Sequence, residues 1–179
     1  MRIFIAIELP EHIKSKIFHE FEILKKKNFV VGKFTKKENL HLTLKFFGES
    51  TESEVEKIKK GLHEIKLKPF SCKIGKTGFF DENYIRVVWV EAISGEAKNL
   101  YETISRKFKE IKPDYKDFNS HITAIRVESV KNKEGFLEEI KKIYFKKLGF
   151  EVEEFVLMKS ELFPEGPKYK ILERFGLKN

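Results

Sequence analysis

Apolar side chains recur along the chain with two periods, one typical of helices and one typical of strands. The opening run from Arg2 to Leu9 is short and almost wholly apolar, which predicts a buried strand. The stretch from Asn28 to Asn39 has no clear period and is interpreted as a loop or a short strand. Between these two segments, Pro10 suits the first turn of a helix whose apolar stripe is Ile13, Ile17, Phe21 and Leu24.

Three more helices are predicted by capping residues that precede apolar stripes. Thr51 and Glu54 match a capping box, and Ser94 and Asn132 precede the other two stripes. Pro69 and Pro113 are expected to follow the first two of these helices. The third helix is expected to carry Phe136, Leu137, Ile140 and Tyr144.

Two pairs of strands are predicted between and after the helices. Gly75 and Gly78 are expected in the connection of the first pair, and Pro164 opens the turn of the second. The predicted strands are Phe70 to Ile74, Tyr84 to Ala92, Phe150 to Leu162 and Tyr169 to Leu177.

Two further strands carry the same polar pattern, a histidine and a threonine two residues apart. Strand side chains alternate between faces, so His41 and Thr43 share one face, as do His121 and Thr123. The opposite face of the first strand is expected to face the core, with Leu40, Leu42, Leu44 and Phe46.

The order of elements predicts an internal repeat. After the opening strand, residues 10–92 and 94–177 each read as helix, histidine strand, helix, strand and strand. We therefore predict one domain over residues 1–179, built from two lobes related by an approximate two-fold axis. The two histidine faces should meet in the cleft between them.

Composition limits the partners of this domain. The chain has 179 residues, 41% hydrophobic and 13% aromatic, which is ordinary for a globular protein. The net charge of +8 favours an anionic partner, with nucleic acid ahead of a membrane, although a solvated Lys/Glu surface is an equally good explanation.

Cysteine content and apolar run lengths add three expectations. The single cysteine, Cys72, excludes an intramolecular disulfide and favours a reducing, cytoplasmic setting. The opening apolar run is too short for a signal or transmembrane segment. Neither histidine has an H-x-H pattern or a carboxylate cluster beside it, so we expect no metal and no other cofactor.

A symmetric pair of histidines suits displacement at phosphorus. Histidine titrates near neutrality, so one ring can accept a proton from the nucleophile while the other donates one to the leaving oxygen. Threonine hydroxyls can donate to the non-bridging phosphate oxygens. This scheme needs no metal ion, and activity is expected to survive chelation.

The motifs His41-Leu-Thr43-Leu and His121-Ile-Thr123-Ala resemble those of the two-histidine phosphoesterase superfamily. With the opening Arg2-Ile-Phe-Ile-Ala-Ile, the chain is most similar to its RNA 2′,3′-cyclic phosphodiesterases, also called 2′-5′ RNA ligases. This resemblance implies a bilobal α/β (α+β) LigT-like fold with antiparallel-sheet lobes and helices outside. It also implies metal-independent hydrolysis of RNA 2′,3′-cyclic phosphates to 2′-phosphates. A reverse ligation that forms a 2′-5′ linkage is implied as well.

The resemblance also implies roles for individual residues. His41 would be the proton donor and His121 the proton acceptor, with Thr43 and Thr123 as the phosphate-binding hydroxyls. Arg126 resembles the arginine that ends the second motif, although an ideal strand would turn it away from the histidine face unless the strand bulges.

Other side chains near these motifs are weaker candidates. Lys45 is expected to share the face of His41 and to contact phosphate, with a solvated lysine as the alternative. Aromatic rings at the edge of the cleft could stack a base, and the candidates are Phe46, Phe47, Phe79 and Phe80.

Two alternatives to this function stay open. One is a single-stranded RNA-binding module without catalysis, which would not need two titratable groups in symmetric positions. The other is a two-histidine phosphodiesterase acting on 2′-5′ oligonucleotides or on small cyclic nucleotides. The expected partner is RNA with a 2′,3′-cyclic phosphate end, such as a tRNA fragment, bound by a monomer.

Overall fold

The computed structural model describes residues 1–112 and 118–178, and within them the chain forms four α-helices and nine β-strands. The helices are α1 (Glu11–Lys26), α2 (Glu52–His63), α3 (Gly95–Lys107) and α4 (Lys133–Lys142). The strands are β1 (Arg2–Glu8), β2 (Val30–Phe34), β3 (His41–Glu49), β4 (Phe70–Phe79), β5 (Val87–Ile93), β6 (His121–Val130), β7 (Tyr144–Val152), β8 (Glu154–Phe163) and β9 (Gly166–Gly176). A short 3-10 turn, Lys37–Asn39, leads into β3.

All the paired strands are antiparallel and lie in the order β7-β4-β5-β6-β3-β1-β8-β9, with β2 pairing the free part of β6. The two histidine strands, β3 and β6, are neighbours at the middle of this order. Their pairing is brief, with Leu42 opposite Ile122. The fold is therefore bilobal, with two half-sheets that meet at the histidine strands.

Each half-sheet takes strands from both halves of the sequence. One contains β1 and β3 from early in the chain with β8 and β9 from its end, and the other contains β2, β4 and β5 with β6 and β7. Helices α2 and α3 contact the first half-sheet, and α1 and α4 contact the second. The strands of residues 10–92 are thus shared between the lobes.

The main core lies between the helices and one face of the sheet. Ile3, Ile5 and Ile7 of β1 point into it, whereas Phe4 and Ala6 point to the opposite face and pack with Val156 and Met158. Strand β1 is buried on both faces, which explains why its sequence is continuously apolar rather than alternating.

The helix starts follow the predicted caps. Thr51 and Glu54 form the expected capping box, Ser94 accepts from the backbone of Ala97, and Asn132 accepts from the backbone of Gly135. Pro113, which was expected after the third predicted helix, lies outside the described residues.

Several predicted boundaries were wrong. Gly75 and Gly78 lie inside β4 rather than in a connection, where their missing side chains make room for β5 side chains. Tyr144 begins β7 rather than belonging to the helix, which ends at Lys142. The predicted strand Phe150 to Leu162 is two strands, because the chain breaks at Glu153 between β7 and β8.

Among the helices of the described residues, none combines the length and the apolar character needed to cross a lipid bilayer.

Candidate active site

The two histidines lie on one face of the sheet where the half-sheets meet. Leu42 and Ile122 pair with each other and are fully buried on the opposite face. Because the strands are antiparallel, continuing this register sets His41 beside Thr123 and Thr43 beside His121. The predicted meeting of the two histidine faces therefore follows from one strand pairing.

Each imidazole ring is held by a hydrogen bond from Nδ1 to a backbone carbonyl two residues earlier. Nδ1 of His41 donates to the carbonyl oxygen of Asn39 at 2.7 Å, and Nδ1 of His121 donates to that of Asn119 at 2.6 Å. A carbonyl oxygen can only accept, so Nδ1 carries the hydrogen and Nε2 is left for proton transfer.

The residue that accepts this hydrogen bond is the same in both copies, although it lies outside the paired His-x-Thr motifs. An asparagine stands two residues before the histidine in both copies, at Asn39 and Asn119. The Asn39 side chain also donates to the carbonyl of Pro167 at 2.8 Å, which ties this turn to the β8–β9 hairpin.

The threonine of the first motif is hydrogen-bonded to its histidine. Thr43 Oγ1 lies 2.9 Å from His41 Nε2. With Nδ1 protonated and the ring neutral, the hydroxyl donates to Nε2. If the ring becomes protonated, the same contact reverses and the hydroxyl accepts.

Each histidine strand contains a β-bulge at the same place, three residues after the histidine. The register of β3 with β1 shifts so that Leu44 has no partner, and that of β6 with β5 shifts so that Ala124 has none. Two successive side chains then point into the protein, Leu44 with Lys45 in one strand and Ala124 with Ile125 in the other. The residue after each pair returns to the histidine face.

The bulges reverse the predicted placement of two residues in β3. Lys45 was expected on the face of His41, but its side chain is 2% exposed and its Nζ lies 6.0 Å from the ring centroid of buried Phe47. Phe46 was expected in the core and is 59% exposed. Both expectations were wrong, because strict alternation takes no account of a bulge.

In β6 the same bulge brings Arg126 to the histidine face. The exposed Arg126 lies between buried Ile125 and Val127. Its positive charge lowers the pKa of His41, of His121 and of Tyr169, so it lies near all three groups. Arg126 and Phe46 therefore occupy equivalent positions in the two strands.

Both histidines favour the neutral form in the free protein. Burial is the main cause that lowers the pKa of His41 to about 4, and the carbonyl of Asn39 partly opposes it. The positive charge of Lys14 lowers that pKa further. Burial also lowers the pKa of His121, which the carbonyl of Asn119 opposes.

His41 lies in an aromatic wall beside a cavity. Its ring centroid is 5.1 Å from that of Phe4 and 5.2 Å from that of Tyr169, and Phe4 also contacts Phe46 at 5.6 Å. A cavity of about 360 Å³ opens here, lined by Glu8, Lys14, Glu38, Asn39, Leu40, His41, Met158, Tyr169, Lys170 and Ile171.

His121 has a different aromatic neighbour. Phe80, just after β4, is 56% exposed, and its ring stands perpendicular to the His121 ring with centroids 5.1 Å apart. Of the four rings proposed for base stacking, Phe46 and Phe80 are exposed, Phe47 is buried and Phe79 packs partly into the core.

Within residues 1–112 and 118–178, no group of three or more His, Cys, Asp or Glu side chains is arranged to hold a metal ion. The arrangement offers two imidazole Nε2 atoms, threonine hydroxyls and a guanidinium on one face. These are parts that can move protons and bind a phosphate group.

A bilobal antiparallel fold with paired His-x-Thr strands at its centre defines a two-histidine phosphoesterase. The model of the family described as LigT-like phosphoesterase matches the chain twice, over residues 7–89 and 90–169. The chain belongs to this family.

Similar proteins support the same conclusion over the full length. A Methanocaldococcus jannaschii protein named RNA 2′,3′-cyclic phosphodiesterase is 34% identical over 98% of this chain and 100% of its own. An Archaeoglobus fulgidus protein of the same name is 35% identical over 98% and 99%. The crystal structure of TT0787 from Thermus thermophilus superposes with a TM-score of 0.86 at 30% identity, covering 99% of this chain and 98% of that one.

Proposed function

We propose that this protein hydrolyses 2′,3′-cyclic phosphate ends of RNA to 2′-phosphates by acid and base catalysis. The proposal depends on the pair of histidines whose Nδ1 atoms donate to backbone carbonyls. Both Nε2 atoms are therefore left for proton transfer on the same face of the sheet. Similarity to proteins named RNA 2′,3′-cyclic phosphodiesterase supplies the substrate class.

The reaction needs one proton acceptor and one proton donor. Water attacks phosphorus opposite the 3′ oxygen while His121 Nε2 takes the proton of the water. The P–O3′ bond breaks, and His41 Nε2 gives its proton to O3′, which leaves the phosphate on O2′. Thr43, Thr123 and Arg126 stabilise the charge on the non-bridging oxygens.

Substrate binding has to prepare His41 as the donor. In the free protein its pKa is lowered to about 4, so the ring is neutral at neutral pH. A phosphate anion on the histidine face favours the imidazolium form, and it also offsets the positive charge of Arg126. The protonated donor therefore forms with the bound anion.

The nucleoside that carries the cyclic phosphate binds on the His41 side. Its O3′ must lie within reach of His41 Nε2, and the cavity beside His41 is bordered by Tyr169 and by the apolar Met158 and Ile171. Lys14 and Lys170 line the same cavity and provide positive charge for the preceding phosphates of the RNA.

Further parts of the proposal concern organisation and partners. The bulges and the asparagines occupy equivalent positions in the two motifs, which supports an internal repeat over residues 10–92 and 94–177 whose strands are shared between the two lobes. One chain supplies both histidines, which supports action as a monomer. The physiological partner would be an RNA with a cyclic phosphate end, such as a tRNA fragment, in the cytoplasm. The same site can also form a 2′-5′ linkage when a 5′-hydroxyl replaces water.

The test is an assay on a short RNA ending in a 2′,3′-cyclic phosphate, with the position of the product phosphate determined. We expect a 2′-phosphate, and a loss of turnover of about 10²–10⁴-fold in His41→Ala or His121→Ala, with RNA binding retained. The double variant should be little worse than the worse single variant, because the two rings act as one unit. An active His121→Ala protein, or binding without turnover in the unmodified protein, would overturn the proposal in favour of an RNA-binding module.

A further inference from the structure

One exposed phenylalanine lies near each of the two histidines. Phe46 stands on the His41 side, where it reaches His41 through Phe4. Phe80 touches the His121 ring directly, edge to face at 5.1 Å. Single exposed apolar residues are common on protein surfaces, so exposure alone assigns no role to either ring.

The ring of Phe80 rests on a support built from two strands. Trp89 of β5 pairs with Gly78 of β4 on one side and with Thr123 of β6 on the other. A Cβ atom at Gly78 would lie 2.6 Å from Cη2 of Trp89, so the glycine lets the indole lie against the strand. The Phe80 ring packs on this indole with centroids 5.8 Å apart. Phe80 is therefore held beside His121 although more than half of it is exposed.

In-line displacement at phosphorus requires different groups on the His41 side and on the His121 side of the site. The entering and leaving oxygens lie on opposite sides of phosphorus, so the roles proposed above put the leaving O3′ at His41 and the entering oxygen at His121. In hydrolysis the entering group is water, which has no base to stack. An aromatic ring beside His121 can stack on the entering group only when the entering oxygen belongs to a nucleoside.

We propose that Phe80 is the stacking platform for a second nucleoside, whose 5′-hydroxyl enters on the His121 side in place of water. This inference rests on the proposed function. The 5′ oxygen bonds to phosphorus, its proton passes to His121 Nε2, the P–O3′ bond breaks, and His41 Nε2 protonates O3′. The product is a 2′-5′ phosphodiester, and the reverse steps cleave such a linkage to a cyclic phosphate and a 5′-hydroxyl.

The experiment compares two reactions of the same protein. One is hydrolysis of a cyclic-phosphate RNA end, and the other is its joining to an RNA with a 5′-hydroxyl, measured also in reverse with a 2′-5′-linked dinucleotide. Phe80→Ala should reduce joining and dinucleotide cleavage by about five- to a hundredfold, the loss expected for one stacked base. The fold-loss of hydrolysis in Phe80→Ala should be at least fivefold smaller than its fold-loss of joining. In the joining reaction, the KM for the 5′-hydroxyl RNA should change more than kcat.

Matched variants separate stacking from other effects of the ring. Phe80→Tyr keeps an aromatic face and should restore joining, whereas Phe80→Leu keeps apolar cover over His121 and should not. Phe46→Ala should lower both reactions in similar proportion, because both use the nucleoside on the His41 side. Ile23→Ala removes an exposed apolar side chain from α1 and serves as the control for a general surface effect.

Three results would overturn the inference. Equal losses in both reactions for Phe80→Ala would mean that Phe80 only positions His121, and no loss in either would mean that it is no platform. A wild-type protein that hydrolyses cyclic phosphates but neither joins RNA nor cleaves 2′-5′ linkages would remove the second nucleoside and leave the proposed function intact. Failure of hydrolysis itself would instead count against the proposed function.

Discussion

The two histidines are held alike but are placed in different surroundings. His41 lies in an aromatic wall with its Nε2 bonded to Thr43, and burial lowers its pKa to about 4. His121 lies beside an exposed ring, and its pKa is also lowered below the ordinary value of 6.5. The proposed reaction needs His41 protonated and His121 neutral, so at neutral pH little of the free protein is in the reactive state.

This arrangement makes a prediction for kcat/KM as a function of pH. Activity should fall at low pH as His121 gains a proton and fall at high pH as His41 loses one, so the profile should be a bell centred below pH 6.5. Arg126 lowers both pKa values, so Arg126→Gln should move both limbs to higher pH and reduce kcat/KM by about 10²-fold. Arg126→Lys keeps the charge and should keep the wild-type limbs. Limbs that stay in place in Arg126→Gln would show that the guanidinium does not act on the histidines.

At the scale of elements, the bulges in β3 and β6 decide which side chains reach the site. Strand β2 lies along β6 beyond its bulge, where Lys33 pairs with Arg126. The two backbones approach closely at Gly32, where a Cβ atom would lie 2.4 Å from the carbonyl oxygen of Arg126 and 3.0 Å from Cα of Val127. Both are backbone atoms, which cannot move aside as a side chain can.

Gly32→Ala should therefore destabilise the protein by about 1–3 kcal/mol, because the strands must separate to admit the methyl group. The matched control is Gly95→Ala, since a Cβ atom at Gly95 meets nothing within 4 Å. Gly95 begins α3, where alanine should be neutral or slightly stabilising. Denaturant unfolding of both variants checks this. Equal stability would mean that β2 does not pack on β6 as described.

For the whole molecule, the relevant property is a net charge of +8 over 179 residues. Part of that charge lies beside the histidines, where Lys14 and Lys170 line the cavity and Arg126 lies on the histidine face. Many other lysines are paired with glutamates on the surface and contribute little to binding.

Salt should therefore weaken the binding of RNA more than the binding of a mononucleotide. For single-stranded RNA, the logarithm of the binding constant should fall with the logarithm of salt concentration by about 0.7 per phosphate contacted. A cyclic mononucleotide presents one phosphate and should show a much smaller slope. Titrations of both ligands over a range of salt concentrations measure the two slopes. Equal slopes would count against an RNA chain as the preferred ligand.

The sequence alone determined the features that depend on neighbouring residues. Caps at Thr51, Ser94 and Asn132 fixed the helix starts, because a cap is a contact within one turn. The paired motifs around His41 and His121 indicated two equivalent strands, since the period of two lies in the local backbone.

The tertiary structure decided the features that depend on distant strands. A bulge forms where the partner strand has one residue fewer, so the sequence of β3 could not show that Lys45 turns inward and Phe46 outward. The same holds for Arg126, which reaches the histidine face through the bulge against β5. Strand β8 pairs with β1 and β9 pairs with β8, whereas β7 pairs with β4 at the other end of the sheet. No local sequence pattern predicts this order. Register and strand order are set by which surfaces pack together, and that information is spread over the whole chain.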